Sequence, residues 1–236
     1  MNILLLKEKD KIAERLYEIR EERVINHIIT VLKLGKGEFF SAGEVNGMLG
    51  RAEILEIDAK KISLKFYEEK SPPPKIPFTL ICAVPRPKFL KRIIRDSVTL
   101  GVEKIYFLKT WKVEKSFFES SIINREKIEE YVMLGLEQAK DSVAPHIEVV
   151  ERFKPFVEDR LPGITEGMEK IIAHPGGDEN CPYNLGKKTA VAIGPEGGFT
   201  DYEVEMFEKQ GFYRINIGER ILRVESAIPF IIGRLS

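Results

Sequence analysis

The sequence offers little for metal or disulfide chemistry. Its 236 residues hold two cysteines, Cys82 and Cys181, far apart and in no C-x-x-C pair. They frame no disulfide network and no zinc site, and read as core or loop residues in a reducing cytoplasm. The three histidines, His27, His146 and His174, are scattered, so no metal is expected. No apolar run approaches the roughly 20 residues that a membrane span needs. The apolar opening, residues 1–6, gives way at once to Lys7, Glu8, Lys9 and Asp10, and reads as a buried strand rather than a leader. Neither a Walker G-x-x-x-x-G-K-[ST] pattern nor a dinucleotide G-x-G-x-x-G fingerprint occurs, which argues against a phosphate- or nucleotide-binding enzyme of those kinds.

What is present suits a soluble globular protein. Hydrophobic residues make up 43% and charged residues 31%, and the length allows one large domain or two modest ones with a real core. The net charge of zero hides an asymmetry. Residues 1–70 carry 13 basic and 13 acidic side chains, residues 71–125 carry 11 and 4, and residues 126–236 carry 13 and 20. A neutral chain with one basic band can bind a polyanion through that band.

Residues 71–77, Ser-Pro-Pro-Pro-Lys-Ile-Pro, are too rich in proline for a helix or a central strand. They read as a stiff linker, with one domain at 1–72 and another at 73–236. The first is mostly β. Ile28, Ile29, Val31 and Leu32 form an apolar patch, and residues 52–57 and 61–66 alternate partly at period two around a turn at 58–60, as in a small β-barrel. The exception is 11–23, where Ile12, Leu16 and Ile19 stand at helical spacing. After the linker, strands and helices alternate. Residues 78–84 are a continuous apolar run, 102–108 read as another buried strand, and 171–173 and 190–193 as further short strands. Phe89, Leu90, Ile93, Ile94 and Val98 mark one helix face, closed by Gly101. Ile128, Tyr131, Val132 and Leu136 mark another. The fold class is therefore α/β, with a mostly parallel sheet between helices.

Three segments carry candidate chemistry. Residues 192–203 run from a buried strand through Gly194, Pro195, Glu196, Gly197 and Gly198 into a helix, with Thr200 and Glu203 spaced as a capping box. Ligands of open parallel sheets bind off the carboxyl ends of strands, where glycines let them approach the backbone. Residues 215–227 reach Gly218 and then place Arg220 and Arg223 around Ile221 and Leu222, an arrangement suited to an anion. Residues 173–176, Ala-His-Pro-Gly, end a third strand. Each alone fits an ordinary turn as well.

Taken in order, the strings at 173–175 (AHP), 193–205 (IGPEGGFTDYEVE) and 215–227 (INIGERILRVESA) closely resemble the RsmE family of 16S ribosomal RNA uridine-N3 methyltransferases, within the SPOUT superfamily. The resemblance runs almost the whole chain. Residues 27–38 (HIITVLKLGKGE) look like the family's amino-terminal PUA-like barrel, and 84–108 and 111–123 (WKVEKSFFESSII) look like one subgroup, with Lys112 where an arginine is usual. The resemblance implies a SPOUT-type parallel sheet with a carboxy-terminal trefoil knot, an exception to the rule against knots. It implies S-adenosyl-L-methionine as cofactor, held by Ala173, His174, Pro175, Ile193, Gly194, Pro195, Glu196, Gly197, Gly198, Ile217, Gly218, Arg220, Ile221, Leu222 and Arg223. It implies a homodimer as well.

Removing the N3 proton calls for a base or for cations, so Glu196, Arg220 and Arg223 are the candidate catalytic residues. Arg86, Lys88, Lys91, Arg92 and Arg95, extended by Lys112 and Lys115, are the candidate RNA-binding residues, with 16S rRNA in the small ribosomal subunit as the expected partner. Two rivals remain: a SPOUT enzyme acting on tRNA or another RNA, and a non-enzymatic RNA-binding assembly factor.

Overall fold

A computed structural model describes residues 1–118, 123–177 and 179–236. The subgroup string at 111–123 therefore lies partly outside the described residues. The chain divides into two compact units, Met1–Pro74 with Met133–Ala144, and Lys75–Val132 with Pro145–Ser236.

The first unit is a six-stranded sheet. In chain order its strands are β1 (Leu4–Leu6), β2 (Lys11–Ala13), β3 (Leu16–Ile19), β4 (Phe39–Glu44), β5 (Leu49–Ile57) and β6 (Ile62–Lys70), arranged β1-β4-β5-β6-β3-β2. Alternation places Ile62, Leu64 and Phe66 of β6 in one apolar cluster with Ala52 and Ile54 of β5, Leu4, Leu6 and Tyr17. The turn between β5 and β6 is tied by Asp58, whose carboxylate accepts from the amides of Lys60 and Lys61 at 2.7 and 2.9 Å. Helix α1 (Glu22–Asn26) continues as a π-helical turn, His27–Leu32. Of the expected apolar patch only Ile28 is buried, while Ile29, Val31 and Leu32 are exposed.

The helical spacing at 11–23 misleads. Arg15, at φ 59°, turns the chain back, and β2 and β3 pair antiparallel. Period-two burial of Tyr17 and Ile19 against β6 outweighs the i, i+4 pattern. Residues 133–144 join this unit through Glu137, whose carboxylate accepts two bonds from the Arg23 guanidinium at 2.7 and 3.0 Å.

The second unit is a seven-stranded, all-parallel sheet. Its strands are β7 (Ile76–Ala83), β8 (Val102–Leu108), β9 (His146–Val150), β10 (Glu169–Ala173), β11 (Glu179–Asn180), β12 (Thr189–Ile193) and β13 (Tyr213–Asn216), in the order β11-β13-β10-β12-β7-β8-β9. All five residues of β12 are buried, as a strand covered on both faces requires. The proline-rich stretch ends sooner than its composition suggests: Pro77 is the second residue of β7. It is tolerated because the ladder to β8 slips between Ile76 and Thr79, where a missing N–H costs no regular bond.

Helix α2 (Pro87–Thr99) buries Leu90, Ile93, Ile94 and Val98, and packs on the last helix of the chain. The short α3 (Lys115–Phe118) precedes α4 (Arg125–Ala139), whose last residues belong to the first unit. After α5 (Phe153–Pro155) and α6 (Leu161–Ile164) come α7 (Asp201–Lys209) and α8 (Val224–Leu235).

Candidate active site

Strands β13, β10 and β12 lie side by side and end together. Ala173 pairs with Ile193 on one side and Ile215 on the other, so the loops that follow all leave the sheet at one level. That is the carboxyl edge of the sheet, and these strands lie where the order turns back from β7-β8-β9, the place where open parallel sheets bind ligands.

The three loops enclose a cavity of about 180 Å³. Ala173, His174, Pro175, Ile193, Gly194, Pro195, Glu196, Gly198, Ile217, Gly218, Arg220, Ile221 and Leu222 all line it. Gly197 and Arg223 do not. Gly197 lies on the far side of its loop, against Lys112, and Arg223 is the exposed N-cap of α8. The cavity also takes in Phe199, Asn216, Glu219, Val224 and Ala227, which the sequence did not single out. Asn216 had a legible signal: its carboxamide oxygen accepts from the Gly218 amide at 2.9 Å, the turn that an Asn two residues before a glycine makes. Gly218, at φ +133°, sits where an L side chain is strained. The volume is below the roughly 300 Å³ at which ligand pockets usually begin. Its outer wall, residues 218–222, is the exposed part, with Ile221 84% accessible.

The inner loop is rigid. A Cβ on Gly194 would come within 2.8 Å of the Phe199 amide nitrogen and 3.1 Å of the Gly198 carbonyl carbon, so the loop folds directly onto that residue. Thr200 caps α7: it accepts from the Glu203 amide, while the Glu203 carboxylate accepts from the Thr200 amide at 2.8 Å. The other oxygen of buried Glu203 accepts from the Trp111 amide at 2.7 Å. Lys112 adds a second tie, donating to the carbonyls of Gly197 at 2.8 Å and Phe199 at 3.3 Å. The segment after β8 is thus pinned to the loop after β12, a role for Lys112 different from phosphate contact.

The titratable groups in and around the cavity divide clearly. Burial, then the neighbouring Arg214 charge, holds His174 below the ordinary imidazole value, so the ring is neutral near pH 7. Its Nδ1 accepts from the Gly176 amide at 3.0 Å, which leaves Nε2 as the donor. Burial pushes the Cys82 thiol up, with Glu196 adding to it, so Cys82 is no nucleophile. Arg86 lies 3.5 Å from the Glu196 carboxylate. Arg220 and Arg223 are exposed.

The basic band is exposed as its spacing suggested: Arg86, Lys88, Lys91, Arg92 and Arg95 all face outward from α2. Asp96 takes up part of the charge, lying 3.4 Å from Arg92 and 3.8 Å from Arg95. Lys115 is exposed at the start of α3.

The profile of the RNA methyltransferase domain family matches residues 72–236. Among curated proteins, the chain is 32% identical over 239 residues to the ribosomal RNA small subunit methyltransferase E of Treponema pallidum, covering 96% of this chain and 87% of that one. It is 28% identical over 235 residues to the ribosomal RNA small subunit methyltransferase E 1 of Borreliella burgdorferi, covering 96% and 94%. Among solved structures, a putative methyltransferase from Legionella pneumophila, in complex with bound SAM, superposes with a TM-score of 0.75 at 20% identity over 98% of this chain and 95% of that one. The ribosomal RNA small subunit methyltransferase E of Neisseria gonorrhoeae, bound to S-adenosyl methionine, also reaches 0.75, at 17% identity over 98% and 95%. Both likenesses are likenesses of fold.

Proposed function

This chain belongs to the RNA methyltransferase domain family, among its ribosomal RNA small subunit methyltransferase E members, and on that premise we propose that it methylates uridine N3 in 16S rRNA with S-adenosylmethionine as donor. The observation that carries the reading is the convergence of three strand-end loops on one cavity walled by glycine backbone and apolar side chains.

The residues present fit the donor. Gly194 and Gly218 keep side chains out of the cradle. Ile193, Ile217, Leu222 and Val224 offer apolar walls, and loop amides and carbonyls offer partners for an adenine edge and an amino-acid head. When bound, S-adenosylmethionine supplies an electrophilic methyl group on a sulfonium. Passing that methyl in line to an electron-rich nitrogen, with the sulfur leaving as a neutral thioether, would lose charge, so dry walls that hold the reactants in line favour the reaction. Uridine N3 must first give up its proton. Glu196, at the cavity wall, is assigned that proton, and Arg220, at the exposed mouth, with Arg223, exposed at the start of α8 beyond it, is assigned the negative charge that develops on the base. His174, whose Nδ1 lone pair is taken by the Gly176 amide, presents its Nε2–H as a hydrogen-bond donor rather than a base.

A PUA-like barrel is supported by the apolar cluster that strands of the first unit share. A SPOUT trefoil knot is supported by β13 inserted between β10 and β11 and by α8 returning onto α2. In this reading the chain divides into a barrel at 1–72 and a catalytic domain at 73–236. A homodimer is supported by apolar groups that one chain leaves exposed, Ile221 and Phe230. Among the described residues no helix is long and apolar enough to cross a membrane. A substrate in the ribosome places the work in the cytoplasm.

The test is calorimetric titration with S-adenosylmethionine, followed by labelled methyl transfer to unmethylated small subunits, naked 16S RNA and bulk tRNA. Donor binding with label in ribosomal RNA is expected. Label in tRNA alone would overturn the substrate, and absent donor binding would overturn the enzyme.

A further inference from the structure

Beside the donor cavity, on the same edge of the parallel sheet, runs an open groove of about 1040 Å³. Trp111, Phe153 and Tyr202 line it, from the segment after β8, from α5 and from α7. Trp111 is 85% exposed and Tyr202 52% exposed, an unusual display for aromatic side chains. Lys109, Lys115 and Lys154 stand around them. The acidic residues of the groove are Glu151 and Glu203, and both Glu203 oxygens are taken up by backbone amides. The groove and the donor cavity share one wall. Phe199 lines the cavity, and the next residue, Thr200, lines the groove. The Glu203 and Lys112 ties fix that wall, so Trp111 is held at a set place relative to the cavity.

We propose that this groove binds a single-stranded segment of the RNA substrate, with bases stacked on Trp111 and Tyr202 and phosphates beside Lys109, Lys115 and Lys154. Exposed π-faces among cations suit unpaired RNA, whose bases stack on aromatic side chains while lysines track the backbone. A base read at N3 must be unpaired, since N3 is used in pairing, so an unpaired neighbour next to the donor cavity is what the reaction needs. The inference rests on the proposed function and adds to it where the substrate strand runs.

Trp111 is the sole tryptophan of the chain, so its fluorescence reports on the groove alone. The experiment titrates the full chain with naked 16S transcript, following Trp111 emission and, separately, filter binding. Trp111→Ala and Tyr202→Ala are measured beside it. Expected are saturable quenching that weakens with salt, an affinity loss of about tenfold or more in each variant, and unchanged S-adenosylmethionine titration. Transcript bound by filter without quenching, or bound equally by Trp111→Ala, would overturn the groove. Emission that changes with protein concentration without RNA would overturn it in favour of a second copy of the chain. If the transcript is not bound but small subunits are methylated, an unchanged KM for subunits in Trp111→Ala would overturn it and a raised KM would support it. RNA neither bound nor methylated would overturn the proposed function, and this inference with it.

Discussion

Gly194→Ala is expected to damage donor binding while leaving the protein folded. The added Cβ would stand 2.8 Å from the Phe199 nitrogen and 3.2 Å from the Gly198 Cα, against an ordinary contact of 3.4–4 Å. Both neighbours are backbone, so the loop must open by roughly half an ångström. Overpacking of this kind costs about 1–3 kcal/mol of stability. About 1.4 kcal/mol of that strain released on opening the donor site corresponds to a tenfold change, so a donor affinity about tenfold weaker is expected. Gly197→Ala is the matched control in the same loop. Its Cβ would meet only the Lys112 side chain, at 3.3 Å, which can move aside. Calorimetric titration of both variants with S-adenosylmethionine, alongside thermal unfolding, makes the comparison. Wild-type affinity in Gly194→Ala, or equal losses in the two variants, would refute the placement of the donor against this loop.

Lys112→Met removes two hydrogen bonds to the loop carbonyls and should weaken donor binding several-fold, with little change in the salt dependence of RNA binding; a changed salt slope with intact donor binding would return Lys112 to the phosphates. Arg23→Ala strips the nearly buried Glu137 carboxylate of its bidentate partner and should cost about 2 kcal/mol, less than the full buried-pair penalty because Arg23 is half-exposed, read by urea unfolding. The Arg160 guanidinium holds the Glu148 carboxyl below its ordinary value. A depressed carboxyl contributes stability above its unfolded pKa and loses it as the pH falls through the folded one. Arg160→Gln should therefore destabilise by up to about 1 kcal/mol at neutral pH, and the gap to wild type should close in acid, below the ordinary carboxylate range. A gap that is constant with pH would assign the effect to packing.

The parallel sheet was legible because its central strands are buried on both faces and announce themselves as apolar runs, as at 190–193. The donor loops were legible for a related reason: two of them follow short apolar strands, at 171–173 and 190–193, and all three carry the glycines that a close approach needs. The hairpin at 11–19 was not, since three apolar residues at spacings of four and three fit a helix while the strand pairing that decides the matter lies some fifty residues on, in β6. The start of β7 was obscured by Pro77, which a slipped ladder accommodates. Lys112 read as one more basic residue, and nothing local says that its amine reaches Gly197. The aromatic groove is assembled from three segments of the second unit, so no single stretch of sequence displays it.

The central claim is that the cavity at the ends of β10, β12 and β13 serves methyl transfer to uridine N3 of 16S rRNA. It is tested most directly by nucleoside mass spectrometry of 16S RNA from unmethylated small subunits incubated with the chain and S-adenosylmethionine. New 3-methyluridine is expected with wild type, and sharply less with Gly194→Ala at limiting donor. A different methylated nucleoside, or none from a chain that binds the donor, would contradict it.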